Sequence, residues 1–229
     1  MPRADIDHLR PTAAPAERVL LPGDPHRALA VAQALLEKPP RMFNHSRGLW
    51  GYTGIAQDGE PLTVQSTGIG GPSAAIVCEE LIALGARRLV RIGTCAALVD
   101  GLALGSLLAP ESVLPLDGAS AALGAKAPLE PDGTLLARLV AAGATRATVA
   151  STDLFYTAHP ADGATGAVAV EMETAAILGV AARHGVPAAS VLGVARSGLA
   201  NGARRLDEDE LEALELSLGE AGYAALRSP

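Results

Sequence analysis

The stretch that decides the fold begins Ser66-Thr-Gly-Ile-Gly-Gly-Pro-Ser73, continues as a helix-like segment to Gly85, and ends in Leu89-Val-Arg-Ile-Gly-Thr94. Its glycines let the backbone approach a ligand closely, and Pro72 suits the first turn of a helix. The strand that follows is apolar apart from Arg91. A cation and a hydroxyl at the end of a buried strand suit a phosphate-sized anion. A tight turn beside a core salt bridge explains the same residues equally well.

The composition is that of a globular protein with an aliphatic core. Of the 229 residues, 49% are hydrophobic, 19% are charged and only 3% are aromatic. The net charge of −7 argues against nucleic-acid binding driven by bulk electrostatics, so an anion site must be a local basic pocket. No stretch reads as a signal peptide or a membrane span. Two cysteines do not make a disulfide framework, and we expect free thiols in a cytoplasmic protein.

Strand-like and helix-like segments alternate along the chain, which is typical of an α/β protein with a largely parallel or mixed sheet. We treat residues 1–229 as one domain, since the length does not require two. The predicted strands are 18–21, 49–55, 62–67, 88–92, 106–113, 147–150, 167–170 and 188–195. The predicted helices are 26–36, 73–84, 134–142, 173–184 and 207–226. Residues 117–133, rich in Gly, Ala and Pro, are predicted to form a loop.

Three further clusters follow predicted strands. Gly23-Asp-Pro-His-Arg27 could bind an anion through backbone N–H groups and a guanidinium, or Asp24 is simply a helix cap beside a solvated arginine. Glu171 and Glu173 flank a methionine where a strand meets a helix; they suit a vicinal diol, or they stabilise the helix N-terminus. Ser151-Thr-Asp-Leu-Phe-Tyr156 could stack on a planar base or belong to the core.

The sequence lacks the common signatures of metal, nucleophile or nucleotide chemistry. Its histidines are scattered, neither cysteine has a close His or Cys partner, and no zinc spacing results. There is no Gly-x-Ser-x-Gly elbow and no Walker loop. We therefore expect no metal and no cofactor.

Taken together, the motifs resemble the nucleoside phosphorylase family that includes hexameric purine nucleoside phosphorylases and uridine phosphorylases. The similarity extends over nearly the whole chain, from Arg18 to about Leu226. The matching motifs are Leu20-Leu-Pro-Gly-Asp-Pro-His-Arg27, Arg47-Gly-Leu-Trp-Gly-Tyr-Thr-Gly54, Ser66 to Ser73, Arg91-Ile-Gly-Thr94, Ser151 to Tyr156 and Val170-Glu-Met-Glu173. The resemblance implies a three-layer α/β/α fold around a mixed, twisted sheet. It also implies a homo-oligomer built from dimers, expected here as a hexamer, with active sites shared between subunits.

The resemblance also implies the roles of individual residues. Phosphate, a co-substrate, would be bound by Gly23, Arg27, Arg91 and Thr94, joined by Arg47 of a neighbouring subunit. Ribose would be bound by Met172 and Glu173, with Glu171 nearby and His8 of the neighbour at the 5′-hydroxyl. The base would lie against Cys95, Ala96, Phe155, Arg196 and Ser197. Catalysis would depend on Arg91, Glu173 and Arg196.

The chain departs from both branches of the family at the base. The purine enzymes usually carry an aspartate acid where this sequence has Arg196 or Ser197, and Ala96 replaces a usual glycine. Arginine is a poor general acid, but it can stabilise an anionic base by its charge. Uridine phosphorylases read uracil with a glutamine and an arginine, and the stretch 157–162 contains neither.

These departures leave several functions open. Phosphorolysis of a 6-oxopurine nucleoside such as inosine or guanosine is the leading interpretation, because loss of the acid should harm adenosine most. A uridine phosphorylase is the main alternative. A hydrolytic nucleosidase is disfavoured by the three arginines at positions 27, 47 and 91. A degenerate binding protein without turnover is the non-enzyme alternative.

Overall fold

The computed structural model describes residues 6–156, 163–198 and 202–227. Within these ranges the chain forms nine strands and six α-helices. The strands are β1 (Arg18–Pro22), β2 (Arg41–Asn44), β3 (Gly51–Ile55), β4 (Pro61–Gln65), β5 (Arg88–Ala97), β6 (Leu107–Leu116), β7 (Thr145–Thr152), β8 (Ala169–Glu171) and β9 (Ala188–Arg196). The helices are α1 (Pro25–Leu35), α2 (Gly71–Leu84), α3 (Gly118–Ala122), α4 (Gly133–Ala141), α5 (Thr174–His184) and α6 (Glu208–Leu226).

The strands form one mixed sheet in the order β2-β3-β4-β1-β5-β8-β7-β6-β9, and β9 also pairs with β5. The pairings β1–β4, β1–β5, β5–β9, β6–β7 and β7–β8 are parallel. The pairings β2–β3, β3–β4, β5–β8 and β6–β9 are antiparallel. Because β9 pairs with both β6 and β5, the second half of the sheet closes into a barrel-like unit. The predicted mixed sheet is confirmed.

Helices cover both faces of the sheet and bury two aliphatic clusters. Helices α1, α4 and α6 pack on one face through residues such as Val31, Leu139 and Leu218. Helices α2 and α5 pack on the other face through residues such as Val77 and Ile177, and α3 contacts both of them. This is the predicted three-layer α/β/α arrangement.

The topology gathers distant segments at one edge of the sheet. Strands β1, β4, β5 and β9 run in the same direction, so their carboxyl ends lie together, as they do at ligand crevices of open α/β sheets. Strand β8 runs antiparallel to β5 and pairs with Ala96 and Ala97 at its end. The chain that leaves β8 therefore turns back toward Arg91, carrying Glu171 and Glu173 with it.

The predicted loop at residues 117–133 is wrong in part, because residues 118–122 form a helix. Asp117 caps the short helix α3 by accepting a hydrogen bond from the Ser120 backbone N–H at 2.8 Å. Leu129 then pairs with Val113 through backbone hydrogen bonds of 2.9 Å. A five-residue helix of Gly, Ala and Ser has no apolar periodicity, so the pattern could not reveal it. Strand β2 was also not predicted, because its four residues do not alternate between exposed and buried positions.

Helix α6 confirms the terminal helix predicted at residues 207–226. Asp207 and Glu210 form a reciprocal capping box at its start. Gly219 and Gly222 let the helix approach its neighbours closely, since a Cβ on Gly222 would lie 2.7 Å from a methyl carbon of Ile92. No helix in the described ranges is long and apolar enough to cross a membrane.

Arg18 ties the β3–β4 hairpin to the rest of the fold. Its Nη1 and Nη2 donate to the two carboxylate oxygens of Asp58 at 2.6 and 2.9 Å. The Asp58 backbone N–H donates to the Tyr223 hydroxyl on α6 at 2.8 Å. The paired Arg18 guanidinium holds the pKa of the Asp58 carboxyl well below its usual range.

Replacing Asp58 by Asn should lower the free energy of unfolding at neutral pH by about 1–3 kcal/mol, because the buried Arg18 loses its charged partner. A depressed folded-state pKa gives stability that is present above the ordinary carboxyl pKa of about 4 and lost as the pH falls toward the folded value. The difference between Asp58→Asn and wild type in urea denaturation should therefore shrink as the pH falls below about 4.

Glu111→Gln is the matched control. It removes the exposed pair that Glu111 forms with Arg146 at 3.3 Å. This change should cost less than about 1 kcal/mol. Equal losses of unfolding free energy in the two variants would contradict the conclusion that the Arg18–Asp58 pair holds the hairpin to the rest of the fold.

Candidate active site

A cavity of about 830 Å³ opens at the carboxyl edge of β1, β5 and β9. Most of the predicted site residues line it, although they lie far apart in sequence. They are Gly23, Arg27, Arg91, Thr94, Cys95, Ala96, Phe155, Glu171, Met172, Glu173 and Arg196. The structure thus brings together the phosphate, ribose and base candidates in one continuous cavity.

Arg91 lies in the cavity wall, bound to two carboxylates. Its Nε donates to Glu171 Oε2 at 3.1 Å, and its Nη2 lies 3.0 Å from the same oxygen. Nη2 also donates to Glu173. The arginine side chain is only 3% exposed, and the two carboxylates keep its pKa above the ordinary value despite the burial that opposes this. Two carboxylates share one guanidinium, so the three side chains together carry a formal charge that is negative.

One nitrogen of Arg91 is left for a ligand. Nη1 has no hydrogen-bond partner within the part of the chain that the structure describes. A Cβ built on Gly23 would lie 4.0 Å from Nη1, so this nitrogen faces the glycine turn that follows β1. Gly23 and Arg91 both line the cavity, and glycine places no side chain between the turn and the guanidinium.

Glu171 anchors Arg91 and the start of α5 at the same time. Its oxygens accept the Ser151 hydroxyl and the backbone N–H groups of Glu173 and Thr174, the latter at 2.9 to 3.0 Å. The carboxylate is fully buried. The interpretation of Glu171 as an acid that stabilises a helix N-terminus is confirmed. Glu171 also lines the cavity, and binding of a diol stays a prediction.

Glu173 links Arg91 to the glycine turn before α2. Its Oε1 accepts the backbone N–H of Gly70 at 2.6 Å. Gly70 has φ 88°, a conformation that favours glycine. Burial raises the pKa of the Glu173 carboxyl, and the nearby Glu171 carboxylate adds to the rise against the opposing effect of Arg91.

Arg27 is buried beside the glycine turn instead of being solvated. Asp24 caps α1 by accepting a hydrogen bond from the Arg27 backbone N–H at 2.9 Å, as the helix-cap interpretation predicted. The side chain nevertheless turns inward, where Nη2 donates to Glu215 Oε1 at 2.9 Å. Its Nε has no hydrogen-bond partner among the described residues. Capping and a cationic cavity wall therefore coexist in this turn.

Arg196 and Phe155 face each other at the other end of the cavity. The Arg196 guanidinium carbon lies 5.3 Å from the centroid of the Phe155 ring, within range of a cation–π interaction. Its buried Nε has no partner in the described ranges. Phe155 is 43% exposed, so it does not belong to the core. A planar ligand could contact both side chains.

Cys95 and Ala96 form the wall between these two ends. Ala96 pairs with Val170 on one side and with Arg196 on the other, at an irregularity of β5. Burial raises the pKa of the Cys95 thiol to about 12, so the thiol is neutral at physiological pH. Within the described residues, no group of three or more His, Cys, Asp or Glu could hold a metal ion.

Three predicted site residues lie outside the cavity wall of this chain. The His8 ring nitrogen Nδ1 lies 2.8 Å from Glu80, which also accepts backbone N–H groups of the segment around His8. Arg47 lies in a short turn with φ 59°, next to Gly48 of the wall. The Ser197 backbone N–H donates to Arg204. The roles of His8 and Arg47 in a neighbouring subunit stay predictions. Residues 157–162, where uridine phosphorylases read uracil, lie outside the described residues.

Sequence reasoning missed three residues that shape the site. A Cβ on Gly93 would lie 2.7 Å from Arg91 Cζ, so this glycine gives the guanidinium its space. The Ser151 hydroxyl holds Glu171 and accepts the Ala175 backbone N–H at 2.9 Å. Glu215 meets Arg27 across 188 positions of sequence. Gly93 follows Arg91 by two residues in the sequence, and this spacing could have indicated its role. No residue near Glu215 in the sequence indicated a contact with Arg27.

Comparison with known proteins agrees with this geometry. The model of the phosphorylase superfamily matches residues 17–225. A DeoD-type purine nucleoside phosphorylase of Caldanaerobacter subterraneus subsp. tengcongensis is 35% identical over 80% of this chain and 83% of its own length. A second, from Geobacillus kaustophilus, is 36% identical over 78% of this chain and 80% of its own length. A uridine phosphorylase of Escherichia coli is 33% identical over 85% of this chain and 87% of its own length.

The chain therefore belongs to the phosphorylase superfamily, and the predicted resemblance is confirmed. The predicted enzyme class, a pentosyltransferase of this superfamily, is confirmed with it. Relatives named for purine and for pyrimidine nucleosides match at similar identity, so identity alone does not select the base.

Gly93→Ala should destabilise the protein by about 1–3 kcal/mol, because the new methyl group would push the Arg91 guanidinium away from its two buried carboxylates. Urea denaturation measures the change. Gly133→Ala is the control, since a Cβ at that exposed helix start meets no atom within 4 Å. It should be neutral or slightly stabilising. Equal stability of the two variants would show that Gly93 does not make room for Arg91.

Proposed function

We propose that this protein transfers the ribose of a 6-oxopurine ribonucleoside, such as inosine or guanosine, to inorganic phosphate. The products would be the free base and ribose 1-phosphate. The observation that supports this proposal most is a set of buried guanidinium nitrogens along the cavity, Arg27 Nε, Arg91 Nη1 and Arg196 Nε, which lack partners among the described residues. Guanidinium groups bind phosphate and anionic oxygen strongly.

Inorganic phosphate would bind at the end of the cavity formed by Gly23, Arg27, Arg91 and Thr94. The space beside Gly23 faces the free Nη1 of Arg91. Arg47 of a neighbouring subunit would supply a further cation. That cation would offset the formal negative charge of Arg91, Glu171 and Glu173 taken together, which otherwise disfavours phosphate. Phosphate acts here as a co-substrate, and the proposed reaction needs no cofactor.

Ribose would lie next to Met172 and Glu173, between the phosphate and the base. As the glycosidic bond breaks, its electron pair goes to the base and positive charge develops on the ribose ring. Bound phosphate and the Glu173 carboxylate both stabilise that charge, and a phosphate oxygen then bonds to C1′. Glu171 contributes indirectly, because it fixes Arg91 and the start of α5.

The base would stack near Phe155 with its polar edge toward Arg196. Arg196 cannot act as a general acid near neutral pH, but its positive charge stabilises the anionic leaving base. The base then takes its proton from solvent. A 6-oxopurine leaves as an anion with an oxygen acceptor, which suits a guanidinium, whereas adenine presents an amino group at that position. Cys95, Ala96 and Ser197 would complete the surroundings of the base.

The proposed assembly is a hexamer built from three dimers, in which His8 and Arg47 complete a neighbour's site. The tether between His8 and Glu80 holds this segment in a defined position, as such a role requires. A cytoplasmic enzyme of purine salvage would fit the proposed chemistry.

Uridine phosphorolysis is the second candidate. It is supported by the Escherichia coli uridine phosphorylase, whose identity to this chain is close to that of the purine enzymes. The uracil anion also carries oxygen acceptors, so Arg196 would stabilise it too.

Release of free base from inosine, guanosine, adenosine, uridine and thymidine, each with and without phosphate, tests the proposal. We expect phosphate-dependent release from inosine and guanosine, with adenosine cleaved at least about tenfold more slowly, because one lost charge-assisted hydrogen bond costs about 1.5–3 kcal/mol. Arg196→Gln should remove most of that preference while leaving the phosphate KM near the wild-type value.

The other outcomes are distinct. Cleavage of uridine alone would assign the protein to the pyrimidine branch. Release of base without phosphate would indicate a nucleosidase. Nucleoside binding with no release in any mixture would indicate a binding protein and contradict the proposal.

A further inference from the structure

The ion pair between Arg27 and Glu215 joins the cavity to helix α6. Arg27 Nη2 donates to Glu215 Oε1 at 2.9 Å, and Nη1 lies 3.5 Å from the carbonyl oxygen of Ile92. The two side chains are 8% and 11% exposed, so the pair is largely shielded from water. Water does not screen such a pair effectively, and its charges act strongly on neighbouring groups.

Glu215 is placed behind Arg27 as seen from the cavity. Arg27 belongs to the described lining of the cavity, whereas Glu215 does not. With Nη2 bound to the carboxylate and Nη1 near Ile92, Nε is the buried nitrogen of Arg27 that finds no partner among the described residues. The carboxylate therefore holds the guanidinium at Nη2, while the Nε N–H keeps its capacity to donate.

We propose that Glu215 is a positioning residue that sets the orientation and the effective charge of Arg27, and thereby the affinity for inorganic phosphate. This inference rests on the proposed function, because Arg27 is assigned there to the phosphate. Glu215 itself touches neither substrate.

Two effects of Glu215 on phosphate oppose each other. The hydrogen bond fixes the guanidinium in one orientation, which favours binding because less side-chain freedom is lost on contact with phosphate. The negative charge repels the phosphate, which disfavours binding. Two substitutions separate these effects. One removes the charge and keeps the hydrogen-bond acceptor, and the other removes both.

Glu215→Gln and Glu215→Ala provide that separation. Glutamine keeps an acceptor oxygen for Arg27 and removes the charge, so the phosphate KM should fall about threefold below wild type. Alanine removes both, so its phosphate KM should be about tenfold above that of Glu215→Gln. The KM for nucleoside and kcat at saturating phosphate should change less than about twofold in the glutamine variant. Calorimetric titration with inorganic phosphate should reproduce the order of affinities without turnover.

Glu212→Gln is the matched control, since Glu212 is exposed on the same helix and loses the same charge. Its phosphate KM should equal that of wild type, because solvent screens exposed charges. Equal phosphate KM values for Glu215→Gln and Glu215→Ala would overturn the positioning role. Parallel changes in the KM for phosphate and nucleoside would also overturn it, because they would indicate a general structural defect.

Failure of the proposed function would look different. If wild type releases no base with phosphate, the proposed function fails, and the calorimetric titration with phosphate still tests the inference about Glu215. If wild type is active and the two Glu215 variants bind phosphate equally, only the inference about Glu215 fails.

Discussion

The buried contact on which the rest of the site depends is one guanidinium shared by two carboxylates. The Arg91 side chain projects from β5 and contacts Glu171 and Glu173, which lie at the end of β8 and the start of α5. Burial makes each of these charges costly unless it is paired and hydrogen-bonded. Glu171 is satisfied by Ser151 and by backbone N–H groups of α5, and Glu173 by Gly70. The arrangement therefore connects the glycine turn before α2, the sheet and α5, and it leaves Arg91 Nη1 without a hydrogen-bond partner among the described residues.

The architecture explains why this cluster forms where it does. The parallel strands β1, β5 and β9 end at one edge, and the short antiparallel strand β8 returns the chain toward Arg91. Glycines then remove the side chains that would block the contacts. Gly93 leaves space for the guanidinium, and Gly70 adopts a positive φ that directs its N–H to Glu173. A cavity with cations at both ends and an acid between them results, which matches a reaction that moves a ribosyl cation from a leaving anion to phosphate.

Much of this could be predicted from the sequence, because the relevant signals are local. The α/β class followed from the alternation of segments, and the motifs around Arg91 and Glu171 to Glu173 pointed to one site. What the sequence could not show depends on tertiary contacts. The pairing of Arg27 with Glu215 joins α1 to α6, and no local pattern announces a contact of that separation. The helix α3 and the strand β2 are too short and too irregular in burial to produce a periodic signal. The proposed choice of base rests on Arg196, which stands where the family pattern has a different residue.

In the proposed reaction, phosphate held by Arg27 and Arg91 receives the ribose. Phosphorus NMR of the protein mixed with inosine and inorganic phosphate tests this claim most directly. We expect a new resonance of a sugar phosphate ester that grows in step with the free hypoxanthine, while the signal of inorganic phosphate declines by the same amount. Hypoxanthine appearing while the inorganic phosphate signal stays constant would contradict the claim, because water would then be the acceptor.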